Sequence, residues 1–290
     1  MRRVSRLALV ALAATLLLVG FGGYTRGSGS GYGCEDRWPL CEGGSFGGLL
    51  PRADFHMIVE WTHRWLAAIV GLLVAGLAVA AWRRRSRHRL AARLSIAAVA
   101  TVGLQAWIGR LVVANDLDAD LVSLHLGISM AIVGLLASVW ALTGGVEAAG
   151  DVRWSVALWL GAGGSLLILV LGSLVHDLAI SGWPLVGDRL LPDLGHPLVA
   201  IHFAHRVVAP LMLGYLAYLA WRSGRAGRPE AGWLWVAGGL FAVNIGLGAV
   251  HVFTRVGSSL VVALHLVVAA AVWVVLVAVS VGATRRTASA

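Results

Sequence analysis

The most informative motif of the sequence is EWTHR, residues 60–64, which lies at the start of a long apolar run. A related stretch, HFAHR, occupies residues 202–206 and opens a second apolar run 142 residues later. A histidine–arginine pair at the same point of two apolar runs indicates an internal repeat of the kind found in membrane proteins. The chain is therefore predicted to consist of two related halves, 1–145 and 151–290.

A second pair of matching strings supports this repeat. SLHL at 123–126 and ALHL at 263–266 each open an apolar run, 140 residues apart. Because each half then starts and ends on the same side of the membrane, the halves are predicted to be related by an axis along the membrane normal. The predicted fold class is all-α, a polytopic membrane protein with eight transmembrane helices as two pseudo-symmetric four-helix bundles.

The composition agrees with a membrane location. Hydrophobic residues make up 59% of the 290 residues and charged residues 13%, and the mean hydropathy is +0.83, whereas a soluble domain carries roughly a quarter charged residues. A membrane-spanning helix needs about 20 apolar residues. No convincing cleavage site follows the first run, so we interpret it as a span rather than a signal peptide. The predicted spans are 7–23, 56–82, 94–114, 121–143, 154–175, 199–221, 233–252 and 259–282.

The distribution of arginine predicts the orientation. All 23 basic residues are arginine; fifteen lie at the termini and in the loops of one side, and five lie in the opposite loops. The positive-inside rule therefore predicts a multi-pass protein of the cell membrane with both termini in the cytoplasm. Short arginine clusters between apolar runs are typical of topology determinants, so nucleic acid is not an expected partner.

Four histidines belong to the repeat: His63, His125, His205 and His265. All four are predicted about 7–10 Å below the outer boundary of the membrane, two in each half. In each half one histidine comes from the second helix and one from the fourth. Histidines on two helices of a four-helix bundle at one depth can hold a flat ligand between them, and haem iron accepts an imidazole on each face. The alternative is a set of polar residues bonded to backbone carbonyls. Because polar groups in a bilayer are costly, the matched pairs favour two haem sites towards the outer face.

Two arginines directly follow these histidines, Arg64 and Arg206. A guanidinium group matches the carboxylates of the haem propionates. The alternative is that these side chains extend to the lipid headgroups. Arg110 and Arg255 lie at the outer ends of other helices, and both interpretations stay open for them.

The remaining histidines carry weaker signals. His88 lies in a cytoplasmic arginine cluster and is expected to be solvated, whereas the role of His202 stays open. The others are expected to lie at the outer interface: His56, His176, His196 and His251.

The two halves differ at one position. Glu60 precedes His63 by three residues and shares its helix face, whereas His202 occupies the equivalent place in the second half. A carboxylate in the outer third of a membrane helix is costly unless it is used or paired, and it is suited to proton transfer. The first half is therefore predicted to be the reaction site, with Glu60 as the catalytic residue. An ion pair between Glu60 and Arg64 is the alternative, and the two interpretations are compatible.

The outer loop 24–55 carries both cysteines, Cys34 and Cys41. Two cysteines cannot complete a tetrahedral zinc site, and a pair in an extracytoplasmic loop favours a disulfide. Whether that disulfide is structural or redox-active is left open.

Together these features resemble the heme A synthase family: eight helices in two homologous halves, a glutamate three residues before a histidine–arginine pair, and a cysteine pair around Trp38-Pro39-Leu40. The resemblance covers the whole chain. It implies that the first half binds heme O and oxidises its C8 methyl group to a formyl group, giving heme A by two successive oxygen-dependent hydroxylations. It also implies a prosthetic haem b in the second half.

The family's residues carry over as follows: Glu60 as the essential acidic residue, His63 and His125 as the first pair, His205 and His265 as the second, and Cys34 and Cys41 as the loop pair. Some relatives carry a second cysteine pair in the later outer loop, but 176–198 has none. The resemblance further implies a partnership with heme O synthase and with haem-copper oxidase assembly. The electron donor and homo-oligomer formation stay open, as does the way in which oxygen is activated between two histidine ligands.

Two other functions compete with this one. A di-haem b-type cytochrome that only passes electrons fits the four histidines equally well, but it needs neither Glu60 nor the loop cysteines. A haem transporter or chaperone should offer a path across the bilayer, whereas the predicted ligands cluster near one face.

Overall fold

The computed structural model describes residues 2–86, 88–174, 182–183, 189 and 191–287. His176 lies outside the described residues. Nine helices lie within them: α1 (Arg2–Gly27), α2 (Ser45–Gly48), α3 (Phe55–Trp82), α4 (Arg89–Ala114), α5 (Ala119–Leu142), α6 (Val152–Ser173), α7 (Pro197–Arg225), α8 (Ala231–Phe253) and α9 (Ser259–Thr287).

All of these helices except the short α2 are long and apolar enough to cross a membrane. Their candidate spans contain 22 to 29 residues, or roughly 33–44 Å of helix against about 30 Å of hydrocarbon. The predicted eight spans and the all-α fold class are confirmed. An even number of spans would put the start of α1 and the end of α9 on the same side of a membrane. We call the side of the α1–α3 loop the outer side, following the orientation predicted from the arginines.

Several helices extend beyond the apolar runs from which they were predicted. α4 begins at Arg89, five residues before its apolar run, and α7 continues to Arg225 rather than ending near residue 221. An apolar run marks only the part of a helix that lies in hydrocarbon. Arginine is a good helix former and is favourable near a helix C-terminus, so the helices continue into the polar layer.

Aspartate side chains cap three of the spanning helices. Asp54 accepts a hydrogen bond from the backbone N–H of Met57 at the start of α3 (2.9 Å), and Asp118 caps α5 in the same way. Asp151 caps α6, and the hydrogen bond from the N–H of Trp154 holds the pKa of Asp151 below its ordinary value. These caps satisfy N–H groups that a helix leaves unpaired in its first turn. They fix where α3 and α5 begin, and with them the depth of the histidines that follow.

The first and last helices of the chain pack closely against each other. A Cβ atom added at Gly23 of α1 would lie 3.3 Å from Ala263 Cα of α9, and one added at Gly27 would lie 3.0 Å from Ser259 Cα. Small residues spaced four apart allow two membrane helices to approach backbone to backbone. The glycines of α1 therefore bring α9 against the first half of the chain.

The helix contacts are compatible with the predicted halves. α1, α3, α4 and α5 each contact the next, and α5 also contacts α1; α6 to α9 form a second ring of the same kind. α9 joins the rings through α1 and α5, and Trp273 of α9 donates a hydrogen bond to the carbonyl of Met130 on α5 (2.9 Å). The division into domains 1–145 and 151–290 stays a prediction.

The segment that connects the two halves is fixed on the inner side. Glu230 is fully buried and accepts hydrogen bonds from the backbone N–H of Ala149 (2.9 Å) and from Nε1 of Trp154 (2.6 Å). Arg228 forms an ion pair with Asp151 (3.3 Å). Because a buried carboxylate is costly unless it is hydrogen-bonded, these contacts hold the connection against the start of α8.

Candidate functional site

The structure brings the four repeat histidines together in two pairs. His63 of α3 and His125 of α5 lie on opposite helices of the first ring, and His205 of α7 and His265 of α9 lie on opposite helices of the second. His63 and His205 each lie eight residues after the first residue of their helix, and His125 and His265 lie six residues after it. The four histidines therefore lie at similar distances from the starts of their helices, and their pairing around haem stays a prediction.

The second pair is held by backbone carbonyls. Nδ1 of His205 donates a hydrogen bond to the carbonyl of Ile168 on α6 (3.0 Å), and Nδ1 of His265 donates to the carbonyl of Asn244 on α8 (3.1 Å). A carbonyl can only accept, so the proton of each neutral ring is on Nδ1. The lone pair is consequently on Nε2, the nitrogen that a metal would take.

The first pair has no such bonds. Nδ1 of His63 and Nδ1 of His125 are both buried, and neither has a hydrogen-bond partner in the part of the chain that the structure describes. A buried polar atom without a partner is costly and is frequently found at functional sites. The orientation of these two rings is therefore not fixed through Nδ1.

Glu60 lies one helical turn from His63 and is 3% exposed. Oε2 accepts a hydrogen bond from the backbone N–H of Cys34 (2.7 Å). Oε1 accepts from Nε of Arg64 (3.0 Å), and Nη2 of the same arginine also contacts it. The Glu60–Arg64 ion pair that the sequence analysis gave as the alternative is thus present. Charge-assisted bonds of this kind hold a carboxylate in place.

Arg64 also reaches the outer loop. Its Nη1 donates to the carbonyls of Arg37 (2.8 Å) and Leu40 (2.9 Å). These carbonyls lie in the ring that the Cys34–Cys41 disulfide closes, and both cysteines are fully buried. The predicted disulfide is present, and Glu60 and Arg64 together hold its loop against the outer part of α3 through hydrogen bonds.

The second half contains a counterpart of this clamp. Nε of Arg206 donates to Nε2 of His202 (3.1 Å), and Nη1 of Arg206 donates to the carbonyl of Gly182 in the outer loop (2.6 Å). Both arginines therefore bind the residue four positions earlier and an outer loop. The predicted pairing of Arg64 and Arg206 with haem propionates stays a prediction.

Gln105 of α4 is a site residue that the sequence analysis missed. Its Nε2 donates to the carbonyl of His125 (2.9 Å) and to Oγ of Ser129 (2.6 Å). Asn244 stands 139 residues later on α8, one of the few polar residues of that helix, and its own carbonyl accepts from His265. A polar residue at matching places in two apolar runs was the signal that could have revealed both.

The other predicted residues lie around these pairs. The ring of His251 is parallel to that of His265, with 6.2 Å between the centroids and 4° between the planes, so it lies closer to the second pair than an interfacial role implies. Nδ1 of His56 is hydrogen-bonded to Oγ of Ser30 (3.0 Å), and His196 caps α7. Arg110 lies over the ring of Trp107 (5.3 Å), and Arg255 lies in the turn between α8 and α9.

The residues present fit a haem in each half. Each pair supplies two imidazoles from two different helices, which is the donor set of a six-coordinate haem. In the second pair the lone pair is already on Nε2, and no hydrogen bond within the described residues occupies that nitrogen. The rings also lie against glycines of the neighbouring helices, where there is no side chain to displace them.

Comparison with known proteins places the chain among relatives of one kind. The family model described as cytochrome oxidase assembly protein matches residues 5–48 and 49–277. A heme A synthase of Symbiobacterium thermophilum is 31% identical over 240 residues, which is 78% of this chain and 77% of the relative. Those of Alkalihalophilus pseudofirmus and Geobacillus kaustophilus are 29% and 28% identical, over 75% and 84% of this chain and 75% and 80% of their own lengths. The chain belongs to the cytochrome oxidase assembly protein family.

Proposed function

We propose that this protein is a heme A synthase, an oxidoreductase that converts the C8 methyl group of heme O into a formyl group. Relatives of this name match it over most of both chains. The observation that carries the proposal within the structure is the buried Glu60 carboxylate one turn from His63, because the equivalent position of the second half holds His202. A protein that only passes electrons has no use for a carboxylate in one half alone.

In the first half, His63 and His125 would hold heme O as the substrate. Each hydroxylation consumes one O₂, two electrons and two protons, inserts one oxygen atom into a C–H bond and releases one water. After the second hydroxylation the carbon carries two hydroxyl groups, and loss of water leaves the aldehyde. The electrons come from a separate donor. Within the described residues neither ring is held through Nδ1, which supports a pair of ligands that can bind and release a substrate.

The proposed role of Glu60 is to move protons at the reacting carbon. Oε1 is occupied by Arg64, whereas Oε2 accepts the N–H of Cys34 and has no cationic partner among the contacts described. A carboxylate oxygen has a second lone pair, so Oε2 can accept a proton from a hydroxyl group of the substrate and return it to the departing water. Arg64 and the Cys34 N–H keep the carboxylate in place during this exchange.

In the second half, His205 and His265 would hold haem b as a prosthetic group. Haem b supplies one-electron transfer when it is bound. The hydrogen bonds from both Nδ1 atoms to backbone carbonyls support permanent binding, since partners of this kind fix ring orientation and strengthen the ligand. Arg206, next to His205, is the candidate for binding a propionate.

We infer that the protein lies in the cell membrane with both termini in the cytoplasm and both haem sites towards the outer face, as the arginine distribution favours. Its substrate would then come from a heme O synthase in the same bilayer, and its product would serve the assembly of a haem-copper oxidase. These partnerships follow from the proposed reaction.

The proposal is tested by the haems that the protein carries. The full chain is purified in detergent from cells that supply heme O, and its non-covalent haems are extracted and identified by chromatography with mass detection. Heme A or hydroxylated heme O together with haem b is the expected result. Haem b alone would overturn the proposal in favour of a di-haem b-type cytochrome.

A further inference from the structure

Each of the four candidate ligand rings rests against a glycine of the preceding spanning helix. A Cβ atom added at these glycines would lie 3.0–3.3 Å from Cε1 of the facing ring. Contacts this short are tighter than nearly all real Cβ contacts, so an added methyl group must move the ring by a few tenths of an ångström. The pairs are Gly22 with His63, Gly109 with His125, Gly172 with His205, and Gly248 with His265.

This contact is not a general property of glycine in these helices. A Cβ atom added at Gly103 of α4 or at Gly246 of α8 would meet no other atom of the described residues within 4 Å. Gly103 shares a helix with Gly109, and Gly246 lies two residues before Gly248. The glycines that face a ring are thus distinguished by position from neighbours that face open space.

In the second half the glycine and the carbonyl that binds Nδ1 form one unit. His205 donates to the carbonyl of Ile168 and rests on Gly172, and His265 donates to the carbonyl of Asn244 and rests on Gly248. Each glycine follows its carbonyl by four residues, which is one turn along the same helix face. A side chain at the glycine would push the ring outward and lengthen the Nδ1 hydrogen bond.

We propose that Gly22, Gly109, Gly172 and Gly248 are positioning residues that set where each imidazole presents Nε2. The inference rests on the proposed function, because ring position matters here only if the rings hold haem. The glycines do not touch the reacting atoms and act through the histidines. In the second half each ring contacts a glycine and also donates from Nδ1 to a carbonyl. In the first half, among the described residues, each ring contacts a glycine but has no partner at Nδ1.

The test compares Gly248→Ala with Gly246→Ala in the full-length protein. Both substitutions raise helix propensity equally, so only the contact with His265 distinguishes them. Haem b content after purification, the low-spin visible spectrum and the midpoint potential are measured for both. We expect Gly248→Ala to bind haem b about tenfold more weakly or worse, as for other residues that orient a metal-binding histidine, with a shifted potential in the haem that remains. Gly246→Ala is expected to match the unchanged protein.

Several outcomes separate the inference from the proposed function. Equal haem content, spectrum and potential in the two variants would overturn the inference. An unchanged protein that carries no haem would instead overturn the proposed function. If Gly248→Ala does not accumulate in the membrane, Gly109→Ala and its control Gly103→Ala replace the pair, with heme O binding followed by spectral titration. A weaker affinity in Gly109→Ala alone would support the inference, and equal affinities would contradict it.

Discussion

The two histidine pairs lie in the same kind of helix pair, yet only the second is held through Nδ1. His205 and His265 donate to backbone carbonyls, whereas Nδ1 of His63 and of His125 has no partner in the described ranges. The contacts of Arg64 and Arg206 beside the pairs also differ, but here the first half has the stronger set of hydrogen bonds. In the first half a carboxylate and a disulfide-closed loop meet at Arg64; in the second half a neutral imidazole takes the place of the carboxylate.

Under the proposed function, this difference explains how one repeat can serve two purposes. A prosthetic group must stay, and ring orientation fixed by a carbonyl favours retention. A substrate must enter and its product must leave, so rings free at Nδ1 suit exchange, while a fixed carboxylate suits chemistry. In the proposed function the helices provide the same frame in both halves, and a few polar contacts distinguish the substrate site from the prosthetic site.

The largest expected effect comes from removing the carboxylate. Glu60→Gln is expected to lower the formation of oxidised haem by about 10²–10⁴-fold, the range for loss of a general acid–base, while haem b stays bound in the second half. The products are measured by chromatography of the extracted haems. His202→Gln, at the equivalent place, serves as the control and should cause a much smaller loss. Full activity and a normal product ratio in Glu60→Gln would remove the proposed role of this residue.

The two arginines should differ in their contribution to stability. Arg64→Ala leaves a buried carboxylate unpaired, which costs about 3–5 kcal/mol. Arg206→Ala removes a charged donor from His202, which can stay neutral, and should cost about 1.5–3 kcal/mol. Thermal unfolding in detergent of the two variants, with haem content matched, measures the difference. Equal losses would mean that the two clamps are energetically alike, contrary to this comparison.

Replacing both cysteines should affect the first half alone. In Cys34→Ser/Cys41→Ser the loop loses its covalent closure, worth roughly 2–3 kcal/mol on the chain-entropy model, and the N–H of Cys34 no longer holds Glu60 reliably. We expect reduced formation of oxidised haem with unchanged haem b content. The control is wild-type protein whose Cys34–Cys41 disulfide has been reduced chemically. A loss of haem b in the double variant would show that the loop also supports the second half.

The smallest expected effect concerns haem release. Haem held by His63 and His125 should transfer to an excess of apomyoglobin about tenfold faster than haem held by His205 and His265, because second-sphere hydrogen bonds contribute about this much to metal affinity. Transfer is followed by visible spectra, with chromatography to identify the haem that leaves. Faster release of haem b, or equal release rates from the two pairs, would contradict the proposed difference between them.

Most of the fold could be predicted from the sequence, because hydrocarbon thickness sets the length of a span and the repeat sets the pairing of the histidines. Helix ends could not be predicted in the same way, since the helix continues past the apolar run at Arg89 and Arg225. The Glu60–Arg64 ion pair could be predicted from the sequence, because residues spaced i, i+4 on a helix lie next to each other.

The contacts of the histidine rings could not be predicted from the sequence. Gly109 and Gly103 are identical in type and lie in one helix, and only the packing of α4 against α5 decides which of them faces His125. The same holds for Gln105 and for the carbonyl of Asn244, since a backbone atom leaves no trace in composition or spacing. Sequence patterns identified the candidate ligands, and the residues that contact them could be found only from the coordinates.

The contact between α1 and α9 has a consequence for biogenesis. The ribosome makes α1 before α9, so the face of α1 that carries Gly23 and Gly27 lacks its packing partner until α9 has been synthesised. The half that contains Glu60 is therefore completed only after the other half has been synthesised. A chain truncated before α9 should lose His265 and also the packing of α1 against α9. Both halves would then be defective, and both would be exposed to membrane proteases.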